Sequence, residues 1–483
     1  MLSRAAKSAY RRTAAPTLSL RSVRGAHSSV PRPASAATAT STWAAATEHA
    51  HSVLAKPPPP RQADDRLDPL AVIKTEIGAL KGSLFHMLGS SHPALDAVAK
   101  YYFNAEGKHL RPLLVLLMAQ ATNGIGGGWR GVAAEAEEQL RSGSGGIDDA
   151  LTSEGGVLND WNPESMGPEP KGVQTFASPF RIPPAGARTS PPAITPSPSA
   201  SLLSTGGATD GLAATILPTQ RRLASIVEMI HVASLLHDDV IDHADLRRGE
   251  KSAPSAFGNK LSILSGDFLL GRASVALARL GSREVVELLA TVIANLVEGE
   301  VLQLRATADP AKEPTIQGFE EYMRKTYLKT ASLMAKSARA AVILGGCDST
   351  EAAWLKDVAY GYGRNLGIAF QLVDDMLDYK PSSVDLGKPG SGADMRLGLA
   401  TAPALFAWEE YPELGPLIAR KFEGEGDTEI ALDLVNRSRG MERTAALAGD
   451  FAAEARRLVE LLPPSPARDA LVGLTVKVID RVK

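Results

Sequence analysis

The chain has 483 residues, 44% of them hydrophobic and 22% charged, so it is long and apolar enough to bury a large core. Its formal net charge of −2 argues against a protein that mainly binds nucleic acid, and we expect no nucleic-acid partner. The single cysteine, Cys347, excludes an intrachain disulfide and argues against a cysteine-based zinc site.

The first segment, residues 1–47, contains basic residues among Ala, Ser and Leu but no Asp or Glu. This composition is typical of a mitochondrial transit peptide, although a basic tail without a targeting role has the same appearance. We expect import into the mitochondrial matrix, with a cleavage point that the sequence does not define. Residues 48–66 follow as a Pro-rich linker that contains the run KPPPP.

Residues 67–483 are predicted to form one helical domain. Apolar residues recur at intervals of three and four from Asp68 to Ala121 and again from Pro218 nearly to the end of the chain, without a convincing alternating strand pattern. We therefore predict an all-α fold. Residues 122–217 are rich in Gly, Pro, Ser and Thr and are predicted to be a disordered, low-complexity insertion in this domain. No run of about 18 apolar residues occurs, so the sequence predicts no membrane span.

Two Asp-Asp-x-x-Asp motifs carry the strongest chemical signal. Each follows an apolar helical run, and their members are Asp238, Asp239 and Asp242, and Asp374, Asp375 and Asp378. On a helix, the first and last Asp of each motif lie on one face, within reach of a shared cation. Mg²⁺ prefers such oxygen ligands and is commonly shared with substrate phosphates, which suggests a diphosphate ligand. One such motif could be a solvated acidic surface, but two copies entered from apolar runs favour a metal site.

Basic residues that could bind a diphosphate occur near both motifs. Any one of them could be an ordinary surface charge, but as a set they complement the two acidic motifs. They are Lys108 and Arg111 in EGKHLRP, Arg247 and Arg248 after the first motif, Lys329 beside Thr330, and Lys388 in DLGKPG.

These motifs together resemble the trans-polyprenyl diphosphate synthases. The resemblance covers residues 68–121 and 218–483 and includes both aspartate motifs, GKxxRP, RRG, the KT pair, the FQLxDD block and GKP. Within that family the chain is similar to the mitochondrial long-chain hexaprenyl, solanesyl and decaprenyl diphosphate synthases of ubiquinone biosynthesis, and its insertion resembles fungal members. The resemblance implies a single isoprenoid-synthase-type helical bundle with a central cavity.

The resemblance also implies roles for individual residues. The first motif would hold two Mg²⁺ ions on the allylic diphosphate and the second motif a third, with Lys329 joining the six aspartates as catalytic residues. The positions that match allylic diphosphate contacts are Arg247, Lys329, Thr330, Gln371 and Lys388. The positions that match isopentenyl diphosphate contacts are Lys108, Arg111, His231 and Arg248. A lone His on an apolar helix is more often a core residue, but His231 lies two helical turns before Asp238.

Three residues depart from the family pattern. Leu399 stands where members often have a second Lys, and Glu106 and His109 vary the segment around Lys108. Neither change predicts an inactive enzyme, because Lys108 and Arg111 retain the charges of that segment.

The expected reaction is ionisation of an allylic diphosphate (farnesyl or geranylgeranyl), attack by the isopentenyl double bond and loss of a proton. It needs electrostatic stabilisation of the leaving group rather than a protein nucleophile, and the resemblance implies that the departing diphosphate is the base. The small residues Ala233 and Ser234 lie about one helical turn before the first motif and would leave a tunnel open for the growing chain. Ile230, Met229 and Ile226 are the candidate deeper wall residues, which predicts a long product.

Four alternatives remain open on sequence grounds. A geranylgeranyl diphosphate synthase fits the same motifs, although Ala233 and Ser234 count against it. A terpene cyclase would replace the second motif with an Asn, Ser and Glu motif, and a non-catalytic subunit should have lost site residues. A helical scaffold with acidic patches predicts no Mg²⁺-dependent diphosphate binding. We expect a homodimer, with a heteromer as the other option, and peripheral contact with the inner membrane through the apolar product.

Overall fold

Helices make up almost all of the described chain. The computed structural model describes residues 72–88, 93–104, 109–142, 215–247, 249–308, 313–347, 352–379 and 392–481. The only strands in these ranges are β1 (Leu246–Arg247) and β2 (Glu250–Lys251), an antiparallel pair in which Leu246 faces Lys251. The all-α prediction is confirmed. The predicted transit peptide and linker, and residues 143–214 of the predicted insertion, lie outside the described residues.

The helices are numbered here in chain order. Those before the first aspartate motif, together with the helix that carries it, are α1 (Lys74–Leu88), α2 (Pro93–Asn104), α3 (Leu110–Thr122), α4 (Trp129–Ser142) and α5 (Pro218–Ile241). Those from the hairpin to the second motif are α6 (Ala253–Phe257), α7 (Asn259–Arg279), α8 (Arg283–Ala308), α9 (Ile316–Thr326), α10 (Ser332–Leu344) and α11 (Ala353–Asp378). The remaining helices are α12 (Ala393–Arg396), α13 (Ala402–Glu410), α14 (Leu414–Ala419), α15 (Asp427–Arg437), α16 (Gly440–Val459) and α17 (Pro466–Asp480).

Helix α5 is the central element of the first half of the domain. It begins with Pro218 at its first position, where the missing N–H costs nothing, and the Leu217 N–H donates to Gln220 Oε1 at 3.0 Å. Apolar residues on nearly all its sides are buried, and it packs against α7, α3, α10 and α1. The first motif therefore lies at the C-terminal end of a central helix of the bundle.

A continuous helical segment runs from α9 through a π-helical turn, Tyr327–Ala331, into α10. Helix α11 packs along it, and Gly367 allows the close approach, since a Cβ there would lie 2.7 Å from Ala331 Cα. Helix α11 also packs against α16 on another side. The second motif, at the end of α11, is thereby fixed beside the π-helical turn.

Part of the segment 122–217 is helical, which corrects the prediction that this whole segment lacks regular structure. Helix α4 occupies Trp129–Ser142, and buried Trp129 and Ala133 form a small apolar cluster with Leu217. Gly128 N–H donates to Gly346 O at 3.1 Å, which ties the preceding glycine-rich turn to the end of α10. The glycine-rich sequence on either side made this short amphipathic helix hard to recognise, and the helix is stabilised by its contact with the core.

Helix α7 is long and apolar enough to cross a membrane by length and composition, although the sequence contains no long uninterrupted apolar run. Of its most apolar stretch, 44% is buried inside the protein, and the helix packs against α5 and α2. The core helix of a soluble domain has the same properties, so α7 is weak evidence for a membrane span.

Candidate active site

Both aspartate motifs lie at the C-terminal ends of long helices. Asp238 is in the last turn of α5, Asp242 is its C-cap residue, and Asp374 is in the last two turns of α11. The C-terminal end of a helix carries partial negative charge, so carboxylates there are disfavoured both by the helix dipole and by one another. Both clusters therefore favour binding of a cation.

The outer carboxylates of the first motif, Asp238 and Asp242, form no hydrogen bond or ion pair within the described parts of the chain. Burial raises the pKa of the Asp238 carboxyl from 3.8 to about 7, with Glu300 and Asp242 adding to the rise and Lys329 opposing it. Burial also raises the pKa of Asp242. These two half-buried carboxylates, which have no side-chain partner among the described residues, are the kind of oxygen ligands that a hard divalent cation such as Mg²⁺ would satisfy.

Asp239, the middle member of the first motif, lies in a different environment. Its side chain is fully buried, and its carboxylate accepts hydrogen bonds from Arg247 Nε at 2.7 and 2.8 Å, from Arg247 Nη2, and from the Tyr102 hydroxyl. On a helix, residue i+1 points about 100° away from residue i, which turns Asp239 off the face that Asp238 and Asp242 share. Asp239 is thus paired within the protein.

Asp375, the middle member of the second motif, is held in the same way. It is buried and accepts hydrogen bonds from Tyr322 OH at 2.5 Å and from Gln371 Nε2 at 2.8 Å. Gln371 Oε1 accepts in turn from Thr330 Oγ1 at 2.7 Å. Burial raises the pKa of Asp375, and the Lys325 ammonium opposes that rise. Thr330 and Gln371, both predicted to bind substrate, therefore belong to one network with this motif.

The outer members of the second motif have protein partners. Asp374 Oδ1 accepts from Arg481 Nη2 at 3.0 Å, close to the end of the chain. The two oxygens of Asp378 accept from the backbone N–H groups of Ala393 and Asp394, both at 3.0 Å, and so anchor the start of α12. A metal at this motif would compete with Arg481 for Asp374 and would find Asp378 already hydrogen-bonded.

Two lysines on one helical segment lie between the motifs. Lys329 acts electrostatically on Asp238 and Asp242 of the first motif, whereas Lys325, one turn earlier, acts on Asp375 and on Asp394. Both motifs therefore lie close to the same helical segment. The π-helical turn holds Lys329, and such turns are frequent at functional sites.

Sequence reasoning missed Lys325 and Asp394. Burial raises the pKa of Asp394 to about 8, with further contributions from Asp375 and Asp378, although Asp394 belongs to neither motif. Burial lowers the pKa of Lys325, whose Nζ lies 5.1 Å from the centroid of the Tyr322 ring. No local signal distinguishes these residues, because only the packing of α9, α11 and α12 brings them together.

Glu300 and Gln303 of α8 hold the Lys329 ammonium. Lys329 Nζ pairs with Glu300, a buried residue, and donates to Gln303 Oε1 at 3.1 Å. Gly299 makes room for this arrangement, since a Cβ there would lie 2.6 Å from Lys329 Cγ and 3.1 Å from Lys329 N. The lysine is therefore positioned by a neighbouring helix as well as by its own.

We expect Gly299→Ala to lower the catalytic rate about 10-fold, because the added methyl group must displace Lys329 and a shift of about 1 Å at a catalytic group can cost up to 100-fold. Gly449→Ala is the matched control, since that glycine also lies inside a helix and a Cβ there would meet nothing within 4 Å. Steady-state rates of both variants give the comparison, and a Gly299→Ala enzyme as fast as Gly449→Ala would contradict the positioning of Lys329 by Gly299.

Arg111 and His231, both predicted to contact isopentenyl diphosphate, lie together. Arg111 Nη1 is 3.0 Å from His231 Nε2, and His109 Nδ1 is 3.1 Å from Glu228 Oε1 on the same face of α5. His109 adopts a left-handed conformation, with φ of 40°, at the start of α3. Three further predicted substrate contacts, Lys108, Arg248 and Lys388, lie outside the described residues, as does Glu106.

The predicted tunnel residues lie below the first motif on α5. Ile226, Met229, Ile230 and Ala233 are fully buried, and Ser234 is half-buried with its hydroxyl donating to His231 O at 2.8 Å. Burial is common to a tunnel wall and a closed core, so the product length stays a prediction. Leu399, which follows α12, is also buried.

Within the described ranges, no three acidic, His or Cys side chains converge to form a complete metal cage. Mg²⁺ commonly binds through one or two carboxylates and completes its shell with water and substrate phosphates. The pair formed by Asp238 and Asp242 fits that kind of site.

The sequence is similar to those of known polyprenyl synthases. A sequence model described as polyprenyl synthetase matches residues 200–435. The chain is 50% identical over 419 residues to a probable mitochondrial hexaprenyl pyrophosphate synthase of Neurospora crassa, covering 86% of this chain and 82% of that one. It is 41% identical over 470 residues to the mitochondrial hexaprenyl pyrophosphate synthase of Saccharomyces cerevisiae, covering 86% and 91%.

A solved structure shows the same fold. The polyprenyl synthase of Caulobacter crescentus, complexed with calcium and isoprenyl diphosphate, superposes with a TM-score of 0.62 at 25% identity, covering 88% of this chain and all of that chain.

Proposed function

This chain belongs to the polyprenyl synthetase family and is a prenyltransferase, and from this premise we propose that it makes a long trans-polyprenyl diphosphate. It adds isopentenyl diphosphate repeatedly to an allylic diphosphate, farnesyl or geranylgeranyl, and the product is the side-chain precursor of ubiquinone. The observation that carries the proposal is the pair of half-buried carboxylates, Asp238 and Asp242, which have no side-chain partner among the described residues and lie within electrostatic reach of Lys329.

In this proposal, different residues bind the two substrates. Lys329, Arg247, Thr330, Gln371 and Lys388 hold the allylic diphosphate, and Lys329 and Arg247 stabilise the negative charge that develops on it as the C–O bond breaks. Isopentenyl diphosphate lies on the side of Lys108, Arg111, His231 and Arg248, which orients its double bond towards the allylic carbon. The proton lost from the condensed chain goes to the departing diphosphate.

The family uses Mg²⁺, and the residues present fit it. In the proposed assignment, Asp238 and Asp242 hold two ions and Asp374 a third. When bound, Mg²⁺ supplies positive charge that neutralises the leaving diphosphate. Asp238 would have to be ionised to hold such an ion, and because burial raises its pKa to about 7, ion binding would be weaker below that pH.

The experiment that tests the proposal is to incubate the full chain with labelled isopentenyl diphosphate, farnesyl diphosphate and Mg²⁺ and to determine product masses. We expect polyprenyl products longer than geranylgeranyl diphosphate, and Ala233→Phe should shorten them by placing a ring about one turn below the motif. A wild-type product that stops at geranylgeranyl diphosphate would establish the short-chain reading, and no incorporation would point to a non-catalytic subunit.

The proposal extends to a homodimer. Val297, Val301 and Leu304 form a stripe along one face of α8 and are 60%, 49% and 50% exposed, and Ile263 and Leu264 on α7 are exposed as well. Exposed apolar side chains in such a stripe favour burial against a second copy of the chain. Light scattering that gave a monomer mass would contradict this state, and a mass that required another protein would favour the heteromer.

The proposed location is the mitochondrial matrix, with peripheral contact to the inner membrane. The named relatives are mitochondrial, and the acid-free segment 1–47 supports import. The contact is motivated by the apolar product, and failure of the product-loaded protein to float with liposomes would count against it.

A further inference from the structure

Arg247 is held in place by a buried network that begins on α2. The Tyr102 hydroxyl donates to Asp239 Oδ2, and the same hydroxyl accepts the Ala253 N–H at 2.8 Å. Arg247 Nε donates to both oxygens of Asp239, at 2.7 and 2.8 Å. Tyr102 is 7% exposed and Asp239 is fully buried, so the hydrogen bond between them is shielded from solvent. The network links α2, the end of α5, the hairpin and the start of α6.

The hairpin that carries Arg247 needs such a support. Its strands β1 and β2 are only two residues long, and a hairpin of that size is not stable by itself. Tyr101 adds a second tie, because its hydroxyl donates to Lys251 O at 2.9 Å and its ring contacts Phe257 edge-on at 5.1 Å between centroids. Two adjacent tyrosines of α2 thus anchor the segment that presents Arg247.

The bonds of Arg247 leave part of its guanidinium available. Nε and Nη2 donate to Asp239, whereas Nη1 forms no hydrogen bond with any residue that the structure describes. The guanidinium acts electrostatically on Asp238 and Asp242, and its side chain is 29% exposed. The Nε and Nη2 side of the guanidinium is therefore fixed by Asp239, and the guanidinium lies near Asp238 and Asp242.

We infer that Tyr102 and Asp239 are positioning residues that fix Arg247 for the allylic diphosphate, and that Asp239 is not a metal ligand. The carboxylate of Asp239 is oriented by Tyr102, and it in turn fixes the plane of the guanidinium. The second motif has the same design, since Tyr322 holds Asp375, which is linked through Gln371 to Thr330. In both motifs the middle aspartate faces a tyrosine and supports substrate-binding residues.

This inference rests on the proposed function, because it takes Arg247 as a residue that binds the allylic diphosphate. The test uses the full chain with Mg²⁺ and measures binding of farnesyl thiodiphosphate, an unreactive analogue, by calorimetry. Tyr102→Phe should weaken this binding about 3- to 10-fold, which is the range expected for one hydrogen bond. The KM for farnesyl diphosphate should rise similarly and kcat should fall, because Arg247 also stabilises the charge on the leaving diphosphate, whereas the KM for isopentenyl diphosphate should change less than about twofold.

Tyr362→Phe is the matched control. Tyr362 is also buried, and its hydroxyl donates to Leu471 O at 2.7 Å, away from either motif. Both substitutions remove one buried hydroxyl and should lower the melting temperature by similar amounts, but only Tyr102→Phe should change binding of the analogue. Equal binding by wild type and Tyr102→Phe would overturn the inference, even if prenyl transfer by the wild type supports the proposed function.

A double-mutant cycle separates positioning from a general structural effect. In an Arg247→Ala background, Tyr102→Phe should cause no further loss of analogue binding, because its effect passes through Arg247. Asp239→Asn should raise the KM for farnesyl diphosphate without changing the Mg²⁺ concentration that gives half-maximal rate. A shift of that Mg²⁺ concentration would identify Asp239 as a metal ligand, and additive losses in the cycle would contradict positioning through Arg247.

Discussion

Asp238→Asn should reduce the rate of prenyl transfer by about 10²- to 10³-fold, the loss typical when one preorganised electrostatic group is removed from an active site. The amide preserves the shape of the carboxyl group but removes the negative charge that a hard cation requires. The measurement is the steady-state rate with farnesyl and isopentenyl diphosphate over a range of Mg²⁺ concentrations. The variant should also need more Mg²⁺ for half-maximal rate.

The same variant should be more stable than the wild type in metal-free buffer at pH 8. The folded-state pKa of Asp238 is raised from 3.8 to about 7, so ionisation of this carboxyl destabilises the folded protein as pH rises through that interval. Asn removes this cost of ionisation, and the melting temperatures of Asp238→Asn and the wild type should converge below about pH 4.

Asp245→Asn is the control for the rate measurement, because Asp245 follows the motif closely but is exposed. A rate of Asp238→Asn equal to that of Asp245→Asn would refute the assignment of the first motif.

Lys329→Met should lower kcat about 100-fold, because it removes the cation that faces both Asp238 and Asp242. It should also destabilise the fold, since Glu300 would be left buried without its partner. The measurements are steady-state kinetics and thermal unfolding of the same preparations.

The double variant Lys329→Met with Glu300→Gln separates the two effects. It removes both charges, so the melting temperature should recover while the rate stays low. Lys336→Met is the matched control on α10, where Lys336 Nζ donates to Thr291 Oγ1 at 2.8 Å on an exposed surface. Recovery of activity in the double variant would show that Lys329 acts only by neutralising Glu300.

Several features of the site followed from local sequence patterns. The three-and-four spacing of apolar residues predicts helices because it reflects the helical repeat itself, and the all-α prediction is confirmed. The same repeat places Asp238 and Asp242 on one face of α5, and in the structure the two carboxylates act electrostatically on one another and have no side-chain partner in the described ranges. Arg111 and His231 are brought together by the packing of α3 against α5, and the resemblance to a known family had already grouped them.

Other features depend on contacts between distant parts of the chain. The sequence motif does not distinguish Asp239 from Asp238. In the structure, Tyr102 and Arg247 bind the Asp239 carboxylate, whereas the Asp238 carboxylate has no side-chain partner among the described residues. Lys325 and Asp394 join the site only because α9, α11 and α12 meet at its second motif. Helix α4 was missed because its order comes from burying Trp129 against Leu217 rather than from its own composition.

The sequence by itself therefore determined the helical class, the two acidic motifs and the basic residues that complement them, because those properties repeat within a few residues. The tertiary structure decided which carboxylates are free to bind a cation and which are committed to tyrosine and arginine. That division depends on burial and on hydrogen-bond partners from remote helices, and neither is encoded in the spacing of the motif.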